Sequence, residues 1–180
     1  MWFDTLIDNG LIPNNALRFF VRKGLNKYTD RINNLSIPEI KNIQKEFIEK
    51  FLKSPITINT LDANEQHYEV PSIFFETILS SHMKYSGSIW DSDHNNLESS
   101  DESTLETYCA RADIKDGDHI LELGSGWGSL SLYLAIKFPN CKITTVTNSQ
   151  SQQDWIQTKT NVLNIDNIDV IKSDISVFET

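Results

Sequence analysis

The spacing of apolar residues divides the chain into an N-terminal stretch of helical periodicity and a C-terminal stretch in which short strands alternate with helices. Ile40, Ile43, Phe47, Ile48 and Phe51 recur at intervals of three or four, so Ile40 to Leu52 is expected to be a helix with one apolar face. Ser36-Ile37-Pro38-Glu39 in front of it reads as a helix start, because proline in the first turn lacks only an N–H that would be unpaired anyway. Asn14-Asn15 is placed to cap an earlier helix reaching about Lys27, and a further amphipathic segment spans Ser72 to Leu79. Asp91 to Thr104 is polar and acidic without a period, and predicts an exposed loop leading into a helix from about Glu102 to Ala112.

From His119 onward the pattern changes. The apolar run His119 to Leu123 enters Gly124, Gly126 and Gly128. Ser129 to Phe138 follows as a helix ended by Pro139-Asn140, then Lys142 to Thr147 is rich in β-branched residues, as expected of a second strand. Val170-Ile171-Lys172 reads as a third. Strand, glycine turn, helix and strand make a βαβ unit. Without a β-carbon the glycines let the backbone turn out of the strand and admit a ligand close to its amides, which is the design of a nucleotide-type cradle. A dinucleotide fingerprint would place its third small residue as glycine at position 129, where Ser129 stands. It would also end the second strand on a carboxylate for the ribose, whereas this strand ends in Thr147-Asn148-Ser149 with Gln152 close behind. Hydroxyls and neutral amides have to serve there.

Three glycines spaced two apart and preceded by Glu122 resemble the first motif of class I S-adenosylmethionine (SAM) methyltransferases. The segment from Thr147 to Gln152, Thr-Asn-Ser-x-Ser-Gln, resembles one branch of them, the cyclopropane-fatty-acyl-phospholipid synthases and coclaurine N-methyltransferases. Further blocks match in the same order: Ala63 to Pro71 with Phe74-Phe75, Lys84 to Trp90, and Tyr108 to Gly117. The resemblance covers residues 60–175 and is stronger toward the N-methyltransferases, where Lys84-Tyr85-Ser86-Gly87 and Val146-Thr147-Asn148-Ser149 recur almost letter for letter.

The resemblance implies SAM as cofactor, lying against Glu122, Gly124 and Gly126, with Thr147, Asn148 and Gln152 on its ribose and amino acid parts and Tyr85 and Ser86 closing over the methionine end. Asp174 matches the acid that accepts from the adenine amino group, although an acid there also suits a helix cap. His67 and Tyr68, with Trp90, are substrate-pocket candidates, and Tyr68, Phe74, Tyr85 and Trp90 are aromatics able to face a cation or simply to pack. Where the lipid-modifying synthases carry a bicarbonate-holding cysteine this chain has Gly87, which counts against such a site.

The implied fold is α/β, a Rossmann-like SAM methyltransferase fold incomplete at three parallel strands and preceded by a helical N-terminal region. Residues 1–105 would form the helical region and active-site cap, and residues 106–180 the first half of the SAM-binding domain. The resemblance places the acid/base residues in a Val-Glu-x-x-Glu-His segment after a fourth strand, so the catalytic residues are expected beyond Thr180 and the chain is expected to be the N-terminal part of a longer enzyme. The implied reaction is methyl transfer to a small amine or related acceptor. The alternatives left open are cyclopropanation of an unsaturated phospholipid chain and a silent SAM-binding module.

Composition narrows the partners. A net charge of -9 argues against nucleic acid, which requires a basic surface. Locally, Arg18, Arg22, Lys23, Lys27 and Arg31 oppose only Asp30 among Leu17, Phe19, Phe20, Val21 and Leu25, a pattern that fits either a solvated helix face or peripheral contact with an anionic membrane. No apolar run approaches a spanning length of about 20 residues, and Asp4, Asp8 and Pro13 interrupt the first apolar stretch, so no secretory signal is read. Cys109 and Cys141 have no metal-ligand spacing and read as small buried hydrophobes in a reducing, cytoplasmic setting.

Overall fold

The structure, a computed structural model, describes residues 4–55, 70–91, 93 and 95–179. Contacts divide the chain into two units, Met1–Ser54 and Pro55–Thr180. The residues expected to form the cofactor cradle all fall in the second.

The first unit holds α1 (Asp4–Asp8), α2 (Asn14–Asn33) and α3 (Ile37–Lys53). Helix α2 starts at Asn14 behind Pro13, without a side-chain cap, and runs six residues past the expected Lys27. Helix α3 begins as the sequence implies: Ser36 accepts from the Glu39 amide while the Glu39 carboxylate accepts from the Ser36 amide at 2.8 Å, a reciprocal capping box. These hydrogen bonds hold the Glu39 carboxyl below its ordinary range. Neither helix buries a residue within its unit.

The second unit holds α4 (Ser72–Ile78), α5 (Leu97–Arg111), β1 (His119–Leu123), α6 (Ser129–Lys137), β2 (Lys142–Thr147), α7 (Gln150–Leu163) and β3 (Ile168–Lys172). The strands are parallel in the order β1-β2-β3, with Ile120 opposite Ile143, Glu122 opposite Thr145, and Ile143 opposite Ile168. Because side chains alternate along a strand, Ile120, Ile143 and Ile168 share one face of the sheet. That face meets Leu134 and Ala135 of α6 and Cys109 of α5 in the main core, together with Cys141. Leu121 and Leu123 point to the opposite face and remain 43% and 47% exposed. A second cluster, Phe75, Met83 and Trp127 with Trp155 against them, joins α4 to the glycine turn and α7.

One expectation is corrected. The polar run Asp91 to Thr104 is not a loop throughout, because α5 begins at Leu97, where the Asn96 side chain accepts from the Ser99 amide at 2.9 Å. Ser100, Asp101 and Thr104 are fully buried in that helix. The polar composition concealed an inward face, since these side chains hydrogen-bond to the segment 80–89 instead of to water.

Candidate cofactor site

β1 delivers the chain to a turn that only glycine adopts without strain. Gly124, Gly126 and Gly128 have φ of +87°, +52° and +78°. The amides of Gly124 and Ser125 both donate to the Val146 carbonyl, at 2.9 and 3.0 Å, which ties the turn to the end of β2. A β-carbon at Gly124 or Gly126 would meet nothing within 4 Å. At Gly128 it would stand 2.7 Å from Ile156 Cγ1 of α7. The first two glycines therefore leave space beside the backbone, whereas the third lets two helices pack.

A cavity of about 570 Å³ opens at these strand ends. It is lined by Tyr85, Ser86, Glu122, Gly124, Gly126, Thr147, Asn148, Gln152 and Asp174, so the structure brings together every cofactor-contact candidate named from the sequence. Trp90 does not line it and is 54% exposed, and Phe74 lies edge-on against Phe75 with half its surface in solvent. His67 and Tyr68 lie outside the described residues.

The polar groups of the site are held from behind. Glu122 Oε2 accepts from Ser131 Oγ of α6 and from Thr145 Oγ1 of β2, the latter at 3.1 Å. Burial pushes the Glu122 carboxyl above its ordinary range, and these hydroxyls offset part of that shift. At the end of β2, Thr147 Oγ1 donates to Gln152 Oε1 at 2.6 Å, and Ser149 caps α7 by accepting from the Gln152 amide. With its oxygen engaged, the Gln152 side chain has its NH2 group left over; Nε2 is buried and has no hydrogen-bond partner among the described residues. Asp174 Oδ1 accepts from Ser176 N and Oγ at 2.8 and 2.7 Å, which closes a turn after β3.

Sequence reasoning did not single out Lys84, Ser125, Trp127 or Ser129, all of which line the cavity. Ser125 Oγ, Trp127 Nε1 and Ser129 Oγ share the condition of Gln152 Nε2, being buried without a partner. The signal was present in the alternation of the glycines with Ser125 and Trp127, but only the positive φ values reveal where the intervening side chains end up.

Among the described residues no group of three or more His, Cys, Asp or Glu side chains is placed to hold a metal ion, and no helix is long and apolar enough to cross a membrane. The arrangement suits a polar, uncharged or zwitterionic ligand inserted at the carboxyl ends of parallel strands, next to a helix N-terminus.

Comparison with known proteins agrees with that geometry. The mycolic acid cyclopropane synthetase family matches residues 57–178. An (S)-tetrahydroprotoberberine N-methyltransferase of Eschscholzia californica is 36% identical over 132 residues, covering 73% of this chain and 38% of its own length. An (S)-coclaurine N-methyltransferase of Thalictrum flavum subsp. glaucum is 32% identical over 174 residues, covering 94% of this chain and 47% of its own. The crystal structure of coclaurine N-methyltransferase bound to N-methylheliamine and SAH superposes with a TM-score of 0.80 at 28% identity, over 98% of this chain and 51% of that one. The chain thus spans about half the length, or less, of these relatives. With three parallel strands behind a glycine cradle, and a family match over most of its second unit, this chain belongs to the mycolic acid cyclopropane synthetase family of SAM-dependent methyltransferases, related to the plant alkaloid N-methyltransferases.

Proposed function

We propose that this chain binds SAM and forms the cofactor-holding half of a methyltransferase acting on a small amine or related acceptor. The observation that carries the reading is that four residues lining one cavity, Ser125, Trp127, Ser129 and Gln152, each carry a buried polar side-chain atom, Oγ, Nε1, Oγ and Nε2, without a partner among the described residues. An unpaired buried donor costs about 1–3 kcal/mol, so four at one place fit a ligand rich in hydrogen-bonding groups. A SAM-like ligand has such groups in its ribose hydroxyls, its adenine and its amino acid end. When bound, SAM supplies an electrophilic methyl group on a sulfonium.

The residues of this chain then bind and orient. Gln152, aimed by Thr147, donates toward a sugar hydroxyl, and Ser125 and Ser129 offer hydroxyls beside the glycine turn. The open space at Gly124 and Gly126 admits the ligand close to the backbone. Asp174 sits where an adenine amino group would be received, with its carboxylate already fixed by Ser176. Glu122, fixed by Ser131 and Thr145, places negative charge near the methionine ammonium when ionised. Tyr85, edge-on to Phe75 at 5.2 Å, adds an aromatic wall for a cationic centre. The two thiols, both unpaired and buried, suit the cytoplasmic setting we propose.

Titration calorimetry of the chain with S-adenosylhomocysteine tests the reading. We expect measurable heat and an upward shift in melting temperature. No response to this ligand, with a response to a nicotinamide dinucleotide, would overturn it. A radiolabelled methyl assay, offering amines and unsaturated phospholipids in parallel, tests the acceptor class; labelled lipid alone would replace the amine by an acyl chain.

A further inference from the structure

Lys84 is a buried cation at the wall of the cavity, 4% exposed, and its partners among the described residues are neutral. Its Nζ donates to Ser86 Oγ at 2.8 Å, to the Ser86 carbonyl at 3.2 Å and to the Gly87 carbonyl at 2.7 Å, and lies 5.4 Å from the centre of the Tyr108 ring. Three N–H groups meet three oxygens, so the hydrogen-bonding capacity of the ammonium is filled while, among the described residues, its charge has no carboxylate within ion-pair distance.

The direction of the bond to Ser86 is fixed by elementary chemistry. An ammonium only donates, so Ser86 Oγ must accept, and the Ser86 hydroxyl proton has to be given elsewhere. Ser86 itself lines the cavity. A hydroxyl that accepts from a cation is also a better donor, because the two bonds polarise each other. We infer that Lys84 is a positioning residue: it commits Ser86 to donate into the cavity and adds a positive charge to that wall, so that the site selects its ligand through a carboxylate. This goes beyond placing Ser86 near the methionine end, since it assigns selection for the carboxylate to a lysine that would not touch the ligand. It rests on the SAM reading above.

Three observations make Lys84 more than a packing residue. The segment 80–89 is anchored at its two ends without the lysine, since Ser80 and Ser88 donate to Asp101 and Ile89 N donates to Thr104 Oγ1 at 2.8 Å, so Lys84 acts only on the turn that presents Ser86. Met83, immediately before it, has φ of +52°, a conformation that bulky side chains rarely adopt. Finally, a buried ammonium is an expensive way to satisfy two carbonyls and a hydroxyl, whereas it is an effective way to attract an anion.

The test compares two ligands that differ at the relevant group. S-adenosylhomocysteine carries the amino acid end with its carboxylate and ammonium, and 5′-methylthioadenosine keeps the nucleoside and sulfur without either. Removal of a cation at Lys84 weakens only the hold on the carboxylate, since for the ammonium it would relieve repulsion rather than reduce attraction. Dissociation constants for both are measured by calorimetry on the whole chain, for the wild type, Lys84→Met and Ser86→Ala. The expected result is that each substitution weakens S-adenosylhomocysteine about tenfold or more and changes 5′-methylthioadenosine less than about twofold, the selective loss of a charge-assisted bond. The double variant should lose little beyond Lys84→Met, because the two residues act through one hydroxyl. Equal loss of both ligands in the variants would assign Lys84 a purely structural role and overturn the inference, as would no loss of either. Should Lys84→Met fail to fold by circular dichroism, Lys84→Gln, which keeps a donor but no charge, takes its place, and a non-selective result there also overturns it. A wild-type chain that binds neither ligand would instead remove the SAM reading itself.

Discussion

Gly128 and Gly124 look alike in the sequence and differ in what they do. At Gly128 an added methyl would collide with Ile156 at 2.7 Å in a backbone with φ of +78°, so Gly128→Ala should lose about 2–4 kcal/mol in a urea melt, left-handed strain adding to overpacking. Gly124→Ala meets nothing within 4 Å and should lose only the strain, about 1–2 kcal/mol, while weakening S-adenosylhomocysteine binding, because the methyl occupies space the ligand needs. Glu122 gives a prediction of different sign. Its carboxyl titrates above the ordinary value of 4.5, so the folded state holds the proton more tightly than the unfolded one. Its contribution to stability is complete below that ordinary value and is lost as pH rises through the raised one. Glu122→Gln should therefore melt at or above the wild-type temperature near pH 7 to 8, with the advantage vanishing near pH 4; thermal melts across that range check it. The residue types of the cradle were legible in the sequence, since Glu122, Gly124, Gly126, Thr147, Asn148 and Gln152 all line the cavity. Lys84 and Trp127 were not, because their importance lies in burial and in partners distant along the chain.

At the scale of the element, α5 holds the strap 80–89 against the cavity. Ser80 and Ser88 donate to the buried Asp101 carboxylate, Ser100 Oγ donates to the Ile89 carbonyl at 2.7 Å, and the Ser81 amide donates to Glu98 at 3.0 Å. Tyr85 and Ser86 are presented from between these anchor points. Asp101→Ala leaves two hydroxyls without their acceptor and should cost about 1–3 kcal/mol in chemical denaturation. Faster amide hydrogen exchange across residues 80–89 should accompany it, whereas Asp101→Asn, which keeps one accepting oxygen and offers an NH2 to the other hydroxyl, should lose less. Periodicity located α3 and its start at Ser36 to Glu39, α4 and α6, but did not single out α7, whose apolar positions are few. It failed at the start of α5, because a helix that buries serine, threonine and aspartate has no apolar stripe to detect.

At the largest scale, the sheet of the second unit has an open side among the described residues. Among the described residues β1 pairs only with β2, so one edge of β1 is unpaired, and Leu121 and Leu123 stand exposed on the face away from the core cluster. An apolar parallel edge next to exposed leucines favours association. The chain should therefore self-associate with rising concentration in light scattering, and Leu121→Lys should shift it toward monomer without changing its circular dichroism.

The sequence by itself determined the βαβ unit, the family and the residues of the cradle, because these follow from local rules: side-chain period, the conformational freedom of glycine, and short motifs in a fixed order. Only the tertiary structure decided which glycine serves packing and which leaves room, that a polar acidic run is a helix bracing the cavity wall, and that a lysine is buried behind Ser86. Those facts depend on groups brought together from positions far apart in the chain, and hydrogen-bond satisfaction and excluded volume can be assessed only once the backbone has placed them side by side.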